Sequence, residues 1–167
     1  MSNPILIDPL AFARDGASLE GERTIAAMDV RVHEVLATTA GAARYTVSGF
    51  TDRLRRPSLR YRVEADVEVN CQRCLAAMPQ TLVSEGVITL FVSEEKLEAA
   101  VDADDELDAI LAEETFDVTA LIEDEIIMGL PHAPKHDECG RDTLSLAKAD
   151  KPNPFAVLAA LKRPKSE

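Results

Sequence analysis

The chain has 167 residues, 46% of them hydrophobic, which is enough for one domain with a substantial core. Its 30 acidic and 18 basic residues give a formal net charge of −12, which argues against general binding to nucleic acids or anionic membranes but leaves a local basic patch open. No apolar run approaches the ~20 residues of a membrane span. The N-terminus lacks the pattern of a secretory leader, so the sequence predicts a cytoplasmic protein.

The N-terminal part of the chain is predicted to contain a short helix and then a strand. Asp8 suits a helix cap, Pro9 suits the first helical position, and Gly16 offers a stop. Residues 28–33 alternate between apolar and polar, which predicts a half-buried strand with His33 solvated on its polar face.

Three further segments have the composition of strands. Residues 45–50 and 82–92 are rich in residues that favour strands, and residues 59–69 alternate strictly between apolar and charged. Residues 71–80 must connect the last two segments, and Pro79 fits a connection because it cannot donate to a sheet ladder.

Residues 94–114 carry ten acids against the single base Lys96. We interpret this run as a solvated, mobile segment and not as an active-site carboxylate cluster. Catalytic carboxylates need burial or a positioned partner to shift their pKa, and nothing in the sequence indicates either.

Two helices are predicted in the C-terminal half. The first is capped by Asp117 and ended by Pro131, and acidic residues 123–125 lie outside its apolar stripe. That stripe consists of Val118, Leu121, Ile122, Ile126 and Leu130. The second helix spans residues 154–162, after a cap at Asn153, and a basic tail follows it.

Two short clusters have the composition of a metal site. Cys71 and Cys74 are separated by two residues, and His136 and Cys139 repeat that gap after residues 75–135. Thiolates and imidazoles are the ligands that tetrahedral zinc prefers, so the four side chains predict a closed structural zinc site. Alternatives are free, partly buried thiols or a thiol redox pair, although the pattern of a thioredoxin-like site is missing. His132 is a competing ligand.

Arginines are concentrated in residues 53–63, where there is no acid. Arginine matches phosphate oxygens in geometry, so this segment predicts a footprint for an RNA backbone. The alternative is a solvated strand face that the chain's own acidic segment neutralises. The candidate RNA-binding residues, including one in the cysteine cluster and two in the basic tail, are Arg53, Arg55, Arg56, Arg60, Arg62, Arg73, Lys162 and Arg163.

Four blocks of sequence, residues 71–75, 121–131, 134–137 and 151–162, together resemble the bacterial YceD family, the large ribosomal RNA subunit accumulation proteins. The resemblance extends from about residue 7 to residue 162, and the last block is its most specific part. It implies a non-enzymatic factor that supports the accumulation or processing of 23S ribosomal RNA during large-subunit assembly. The implied partners are 23S ribosomal RNA or its precursor, or ribosomal and processing proteins, without a membrane or a small-molecule substrate.

The resemblance also bears on the metal site. The resemblance implies the four-cysteine arrangement of many family members, which consists of a first Cys-x-x-Cys and a later cysteine-rich loop. Cys71 and Cys74 match the first pair, whereas His136 and Cys139 form an abbreviated second pair in which one ligand is a histidine.

The expected architecture is α+β, as a single domain over residues 1–167. We expect an antiparallel sheet, curved or barrel-like, from about residues 22–92, with helices from the C-terminal half packed on it. Motifs for phosphate loops, nucleophile elbows and dinucleotide binding are missing, which favours a non-enzymatic protein. A rival function is an adaptor whose acidic segment docks basic ribosomal proteins without touching RNA.

Overall fold

A five-stranded sheet is the main element of the computed structural model, which describes residues 2–139. Its strands, in spatial order, are β2 (Ser18–Thr24), β3 (Ala42–Thr51), β4 (Pro57–Asn70), β5 (Ala77–Phe91) and β6 (Ala109–Leu111). The first four are antiparallel to their neighbours, and β6 runs parallel to β5. The sheet is open and does not close into a barrel.

The remaining elements are short, apart from two helices. A second small sheet pairs β1 (Leu6–Ile7) with β7 (Phe116–Asp117). The helices are α1 (Pro9–Arg14), α2 (Val30–Val35), α3 (Glu94–Ala103) and α4 (Val118–Gly129), and a 3₁₀ turn spans Ile25–Ala27. Within residues 2–139, no helix is both long enough and apolar enough to cross a membrane. The helix predicted over residues 154–162 lies outside the described residues.

Strict alternation along β4 explains why the sheet has one apolar face. The side chains that point inward are all buried: Leu59, Tyr61, Val63, Ala65, Val67 and Val69. The intervening Arg60, Arg62, Glu64, Asp66 and Glu68 point to the outer face. The strands predicted over residues 45–50, 59–69 and 82–92 are therefore confirmed as parts of β3, β4 and β5.

Helices cover the inner face of the sheet. The stripe of α4 packs into the main core through Val118, Leu121, Ile122 and Ile126. The predicted first helix is also confirmed as α1, with the Asp8 carboxylate accepting the backbone N–H groups of Leu10 and Ala11. The α+β class is thus correct, and two short helices from the N-terminal half add to it: α1 packs on β3 and β4, and α2 packs against α4.

The strand predicted over residues 28–33 is wrong, because residues 30–35 form α2. Met28, Val32 and Leu36 are buried four residues apart, which is the spacing of a helix, and a short apolar run does not separate the two periods. His33 is not solvated as predicted. It is half-buried, and its Nε2 lies 2.8 Å from the carbonyl oxygen of Ile25.

Pro79 lies inside β5, opposite Glu68, and not in a connection as predicted. The free side of β5 explains why a proline fits there: β6 pairs only with Thr89–Phe91, so no strand in the described part of the chain needs an N–H from residue 79. The connection between β4 and β5 is correspondingly shorter, at residues 71–76.

The acidic segment over residues 94–114 contains α3 and β6, neither of which the sequence predicted. No residue of α3 is buried, which agrees with a solvated segment. Its mobility stays a prediction.

A buried carboxylate connects α2 to α4. Glu123 is 2% exposed, although the sequence placed it outside the apolar stripe of its helix. It accepts the backbone N–H of Asp29 at 3.0 Å and the Nη2 of Arg31 at 3.1 Å. Arg31 also donates to Asp124 and to the carbonyl oxygen of Ala120. These hydrogen bonds satisfy the buried carboxylate and fix α2 against α4.

We expect Arg31→Met to lower the free energy of unfolding by about 3 kcal/mol, because it leaves the Glu123 carboxylate buried without its cation. Adding Glu123→Gln should recover part of that loss, since a neutral amide still accepts from Asp29 without burying a charge. Urea denaturation of the four proteins in this double-mutant cycle measures the coupling. A double variant no more stable than Arg31→Met would contradict the ion pair.

Candidate metal centre

The turn between β4 and β5 presents the first two ligands. Cys71 donates its backbone N–H to Ala76 at 2.9 Å, and Leu75 donates to the Cys71 carbonyl at 2.8 Å. Leu75 adopts a left-handed backbone conformation, with φ of 61°, which a non-glycine residue rarely adopts. Within this turn the backbone N–H of Arg73 points at the Cys71 sulfur, 3.4 Å away. The sequence does not signal this conformation, because glycine usually occupies such positions.

The loop after α4 presents the other two ligands. Pro131 follows the end of the helix, and the chain turns back towards the β4–β5 connection. The backbone N–H of Gln72 donates to the carbonyl oxygen of Pro134 at 2.8 Å, and the guanidinium of Arg73 donates to the carbonyl oxygen of Cys139. These contacts hold the two segments beside each other.

The four predicted ligand atoms converge. The Sγ atoms of Cys71, Cys74 and Cys139 and a ring nitrogen of His136 all lie within 4.8 Å of one another. Cys71 Sγ is 3.4 Å from Cys139 Sγ, and Cys74 Sγ is 3.5 Å from His136 Nδ1. All three cysteines are free. His132, the competing ligand, does not belong to this group.

These spacings fit a zinc ion. Tetrahedral zinc with Zn–S bonds of about 2.3 Å and Zn–N bonds of about 2.0 Å separates two sulfurs by about 3.8 Å and a sulfur from a nitrogen by about 3.5 Å. Three thiolates and one imidazole form a full protein ligand set, which is typical of structural sites. The residues can therefore hold zinc with no position left for a substrate.

The sulfurs of Cys71 and Cys139 differ in their electrostatics. Burial by itself raises the pKa of Cys71, but backbone N–H groups of Cys74, Arg73 and His136 outweigh it and lower that pKa to about 5. Burial and the neighbouring sulfurs of Cys71 and Cys74 raise the pKa of Cys139. Two adjacent thiolates repel each other, so a cation between them would stabilise both.

The structure separates the arginines proposed to bind RNA. Arg53 and Arg55 are exposed in the turn between β3 and β4. Arg60 lies on the outer face, with its guanidinium 4.7 Å from the centre of the Phe50 ring. Phe50 was not predicted as part of this surface, because only the register of β3 against β4 brings it beside Arg60.

The other candidates already have partners or lie elsewhere. Arg62 pairs with Glu85 at 2.6 Å. The acid that neutralises it therefore belongs to the sheet and not to the acidic segment over residues 94–114. Arg73 belongs to the metal centre. Lys162 and Arg163 lie outside the described residues.

Asp52 organises the turn that carries Arg53 and Arg55. Its Oδ1 accepts the backbone N–H groups of Leu54 and Arg56 at 2.8 and 2.7 Å, and its Oδ2 accepts the Nε of Arg56 at 2.6 Å. Burial raises the pKa of Asp52, but the hydrogen bonds and the charge of Arg56 outweigh it and hold that pKa below its ordinary value. Arg56 is therefore a structural residue of the turn.

Comparison with known proteins connects these features to a family. The family model described as "Large ribosomal RNA subunit accumulation protein YceD" matches residues 59–162. A Haemophilus influenzae protein named "Large ribosomal RNA subunit accumulation protein YceD" is 29% identical over 175 residues, which cover 96% of each chain. No solved structure matches the chain.

We expect one zinc ion per chain in the purified protein, measured by elemental analysis, and loss of that ion on Cys71→Ser or His136→Ala. Removing zinc should destabilise the fold, by about 2.7 kcal/mol when free zinc had been 100-fold above its dissociation constant. His132→Ala is the matched control and should retain the metal. Equal zinc loss in both histidine variants would contradict the assignment of His136.

We expect Asp52→Asn to lower the free energy of unfolding at neutral pH by about 1 kcal/mol, since the ion pair with Arg56 is lost while the amide oxygen still accepts from the backbone. Because the folded pKa is depressed, the carboxylate stabilises the protein above its unfolded value of about 3.9 and stops doing so as pH falls through the folded pKa. The difference between the two proteins should therefore vanish in acid. Urea titrations across pH test this, with the exposed Asp15→Asn as control. A difference independent of pH would argue against the ion pair.

Proposed function

We propose, from the fact that the chain belongs to the YceD family of large ribosomal RNA subunit accumulation proteins, that it supports the accumulation of 23S ribosomal RNA during large-subunit assembly. The family match over residues 59–162 carries this proposal, because it includes most of β4, all of α4 and both ligand clusters. In this proposal the protein acts in the cytoplasm on 23S ribosomal RNA, its precursor, or the proteins that assemble on it.

The metal centre supports a structural role and not a catalytic one. A catalytic zinc usually has three protein ligands and one open position, whereas this cluster offers four. Zinc would supply folding free energy, by joining the β4–β5 turn to the loop after α4. We accordingly propose a non-enzymatic factor whose surfaces bind partners.

A second candidate function rests on α3. Its acids Glu94, Glu95, Glu98 and Asp102 all lie on a helix without a buried residue, so they are accessible to a basic protein. An adaptor that binds a basic ribosomal protein through α3 and never touches RNA would use this surface.

We expect cells that lack the protein to contain less 23S relative to 16S ribosomal RNA, and the intact chain to restore the ratio. An unchanged ratio would contradict the proposed function.

Crosslinking in cells, with the bound RNA sequenced and the bound proteins identified from one sample, separates the two candidates. Recovery of large-subunit precursor RNA supports direct RNA contact. Recovery of basic ribosomal proteins alone, lost on Glu94→Gln/Glu95→Gln/Glu98→Gln, supports the adaptor.

A further inference from the structure

Most arginines on the outer face of the sheet are occupied by acids of neighbouring strands. Arg44 pairs with Glu64 at 2.9 Å and with Asp66 at 3.7 Å. Arg62 pairs with Glu85. A phosphate would compete with these carboxylates for the cations, and the negative charge of the carboxylates would remain beside it.

The end of the β3–β4 hairpin is different. Arg53 and Arg55 are exposed at its turn, and neither forms an ion pair with any residue in the range 2–139. Arg60, on the adjacent part of β4, likewise has no carboxylate partner there and instead covers the ring of Phe50. We call these four residues the hairpin-end surface.

Stacking distinguishes this surface from a simple basic patch. The guanidinium carbon of Arg60 lies over the Phe50 ring, and the Arg60 side chain is exposed, so a flat ligand can reach this planar group from solvent. A nucleobase can stack there only if it is not already stacked in a helix. Recognition on aromatic and guanidinium planes is accordingly typical of single-stranded RNA, loops and bulges.

We propose that the hairpin-end surface binds single-stranded segments of large-subunit ribosomal RNA, with Arg53 and Arg55 on phosphates and a base stacked on Arg60. The inference rests on the proposed function and names the surface that function would use. Beside Arg60, a shallow depression is lined by Thr46, Ser48 and Val87, which offer two hydroxyl groups and an apolar side chain to the edge of such a base. The ion pair of Arg62 with Glu85 also lines this depression.

Acidic residues restrict the extent of the contact. Thr89 of β5 lies opposite Ser58, next to the hairpin turn, and the acidic helix α3 starts soon after this strand ends. Phosphates that extend towards α3 would be repelled, so the RNA contact is short and sensitive to salt.

The test compares two double variants with the same change in charge. Arg53→Gln/Arg55→Gln removes the unpaired cations of the hairpin turn, whereas Arg44→Gln/Lys135→Gln removes two cations that lie outside the hairpin-end surface and the depression beside Arg60. Binding of the full chain to single-stranded and duplex fragments of 23S ribosomal RNA is measured by fluorescence anisotropy over a range of salt.

The first variant should bind the single strand at least about tenfold more weakly, at about 1.4 kcal/mol per tenfold. The slope of log affinity against log salt should decrease by about 1.4, or about 0.7 for each phosphate contact. The second variant should bind like the unchanged chain.

Arg60→Lys tests the stack, because lysine keeps the charge but lacks the planar group. It should weaken binding to the single strand without changing the salt slope. Thermal unfolding of each variant checks that Asp52 still organises the turn, and a loss of affinity counts only in variants that melt with the unchanged chain.

Four outcomes would overturn the inference. Equal losses in the two double variants would mean that net charge alone matters, and duplex bound as tightly as single strand would remove the role of stacking. If the unchanged chain binds RNA, and Arg53→Gln/Arg55→Gln and Arg60→Lys each bind it as tightly as the unchanged chain does, the assignment of the surface is wrong while the proposed function stands. If the unchanged chain binds no 23S fragment but captures basic ribosomal proteins, direct RNA contact fails as well and the adaptor remains.

Discussion

Burial of α4 against the inner face of the sheet is the constraint on which the other parts of the structure depend. Its apolar side covers the core residues of β4 and β5, and its ends determine where the flanking segments lie. At its N-terminal end Thr119 accepts the backbone N–H of Ile5 at 3.1 Å, which ties down the start of the chain. In its middle Glu123 binds Arg31 of α2. The loop that carries His136 and Cys139 follows its C-terminal end.

The candidate metal centre depends on this placement. Cys74 and His136 are separated by 61 intervening residues, so bringing them together costs loop-closure entropy. In an unfolded chain, metal binding by the four ligands would have to offset that cost alone. The packing of α4, the backbone N–H of Gln72 and the guanidinium of Arg73 also hold the two segments together, so the ligands do not bear that cost alone. Zinc would then stabilise an arrangement that the fold already favours, which suits an architectural role.

Net charge and local charge have different consequences in this protein. The total of −12 opposes binding to RNA at long range, yet the sheet distributes its acids unevenly. Glu64 and Glu85 neutralise the arginines in the middle of the outer face, while Arg53, Arg55 and Arg60 at the hairpin end have no such partner in the described part of the chain. A short, specific contact is compatible with an acidic body because screening limits repulsion to about 8 Å at physiological salt.

The sequence by itself determined the features that depend on near neighbours in the chain. Alternation in residues 59–69 specified β4 and its buried face, the cap and apolar stripe specified α4, and two Cys/His pairs specified the chemistry of the ligand cluster.

Only the tertiary structure decided features that depend on distant residues. Residues 30–35 form a helix, in which Val32 is buried at a four-residue spacing from Met28 and Leu36, and β2 is the strand that pairs with β3. Glu123 is buried because Arg31, 92 residues away, satisfies it. Which arginines remain unpaired was likewise decided by strand register, since local sequence does not show which acid a cation will meet across a sheet.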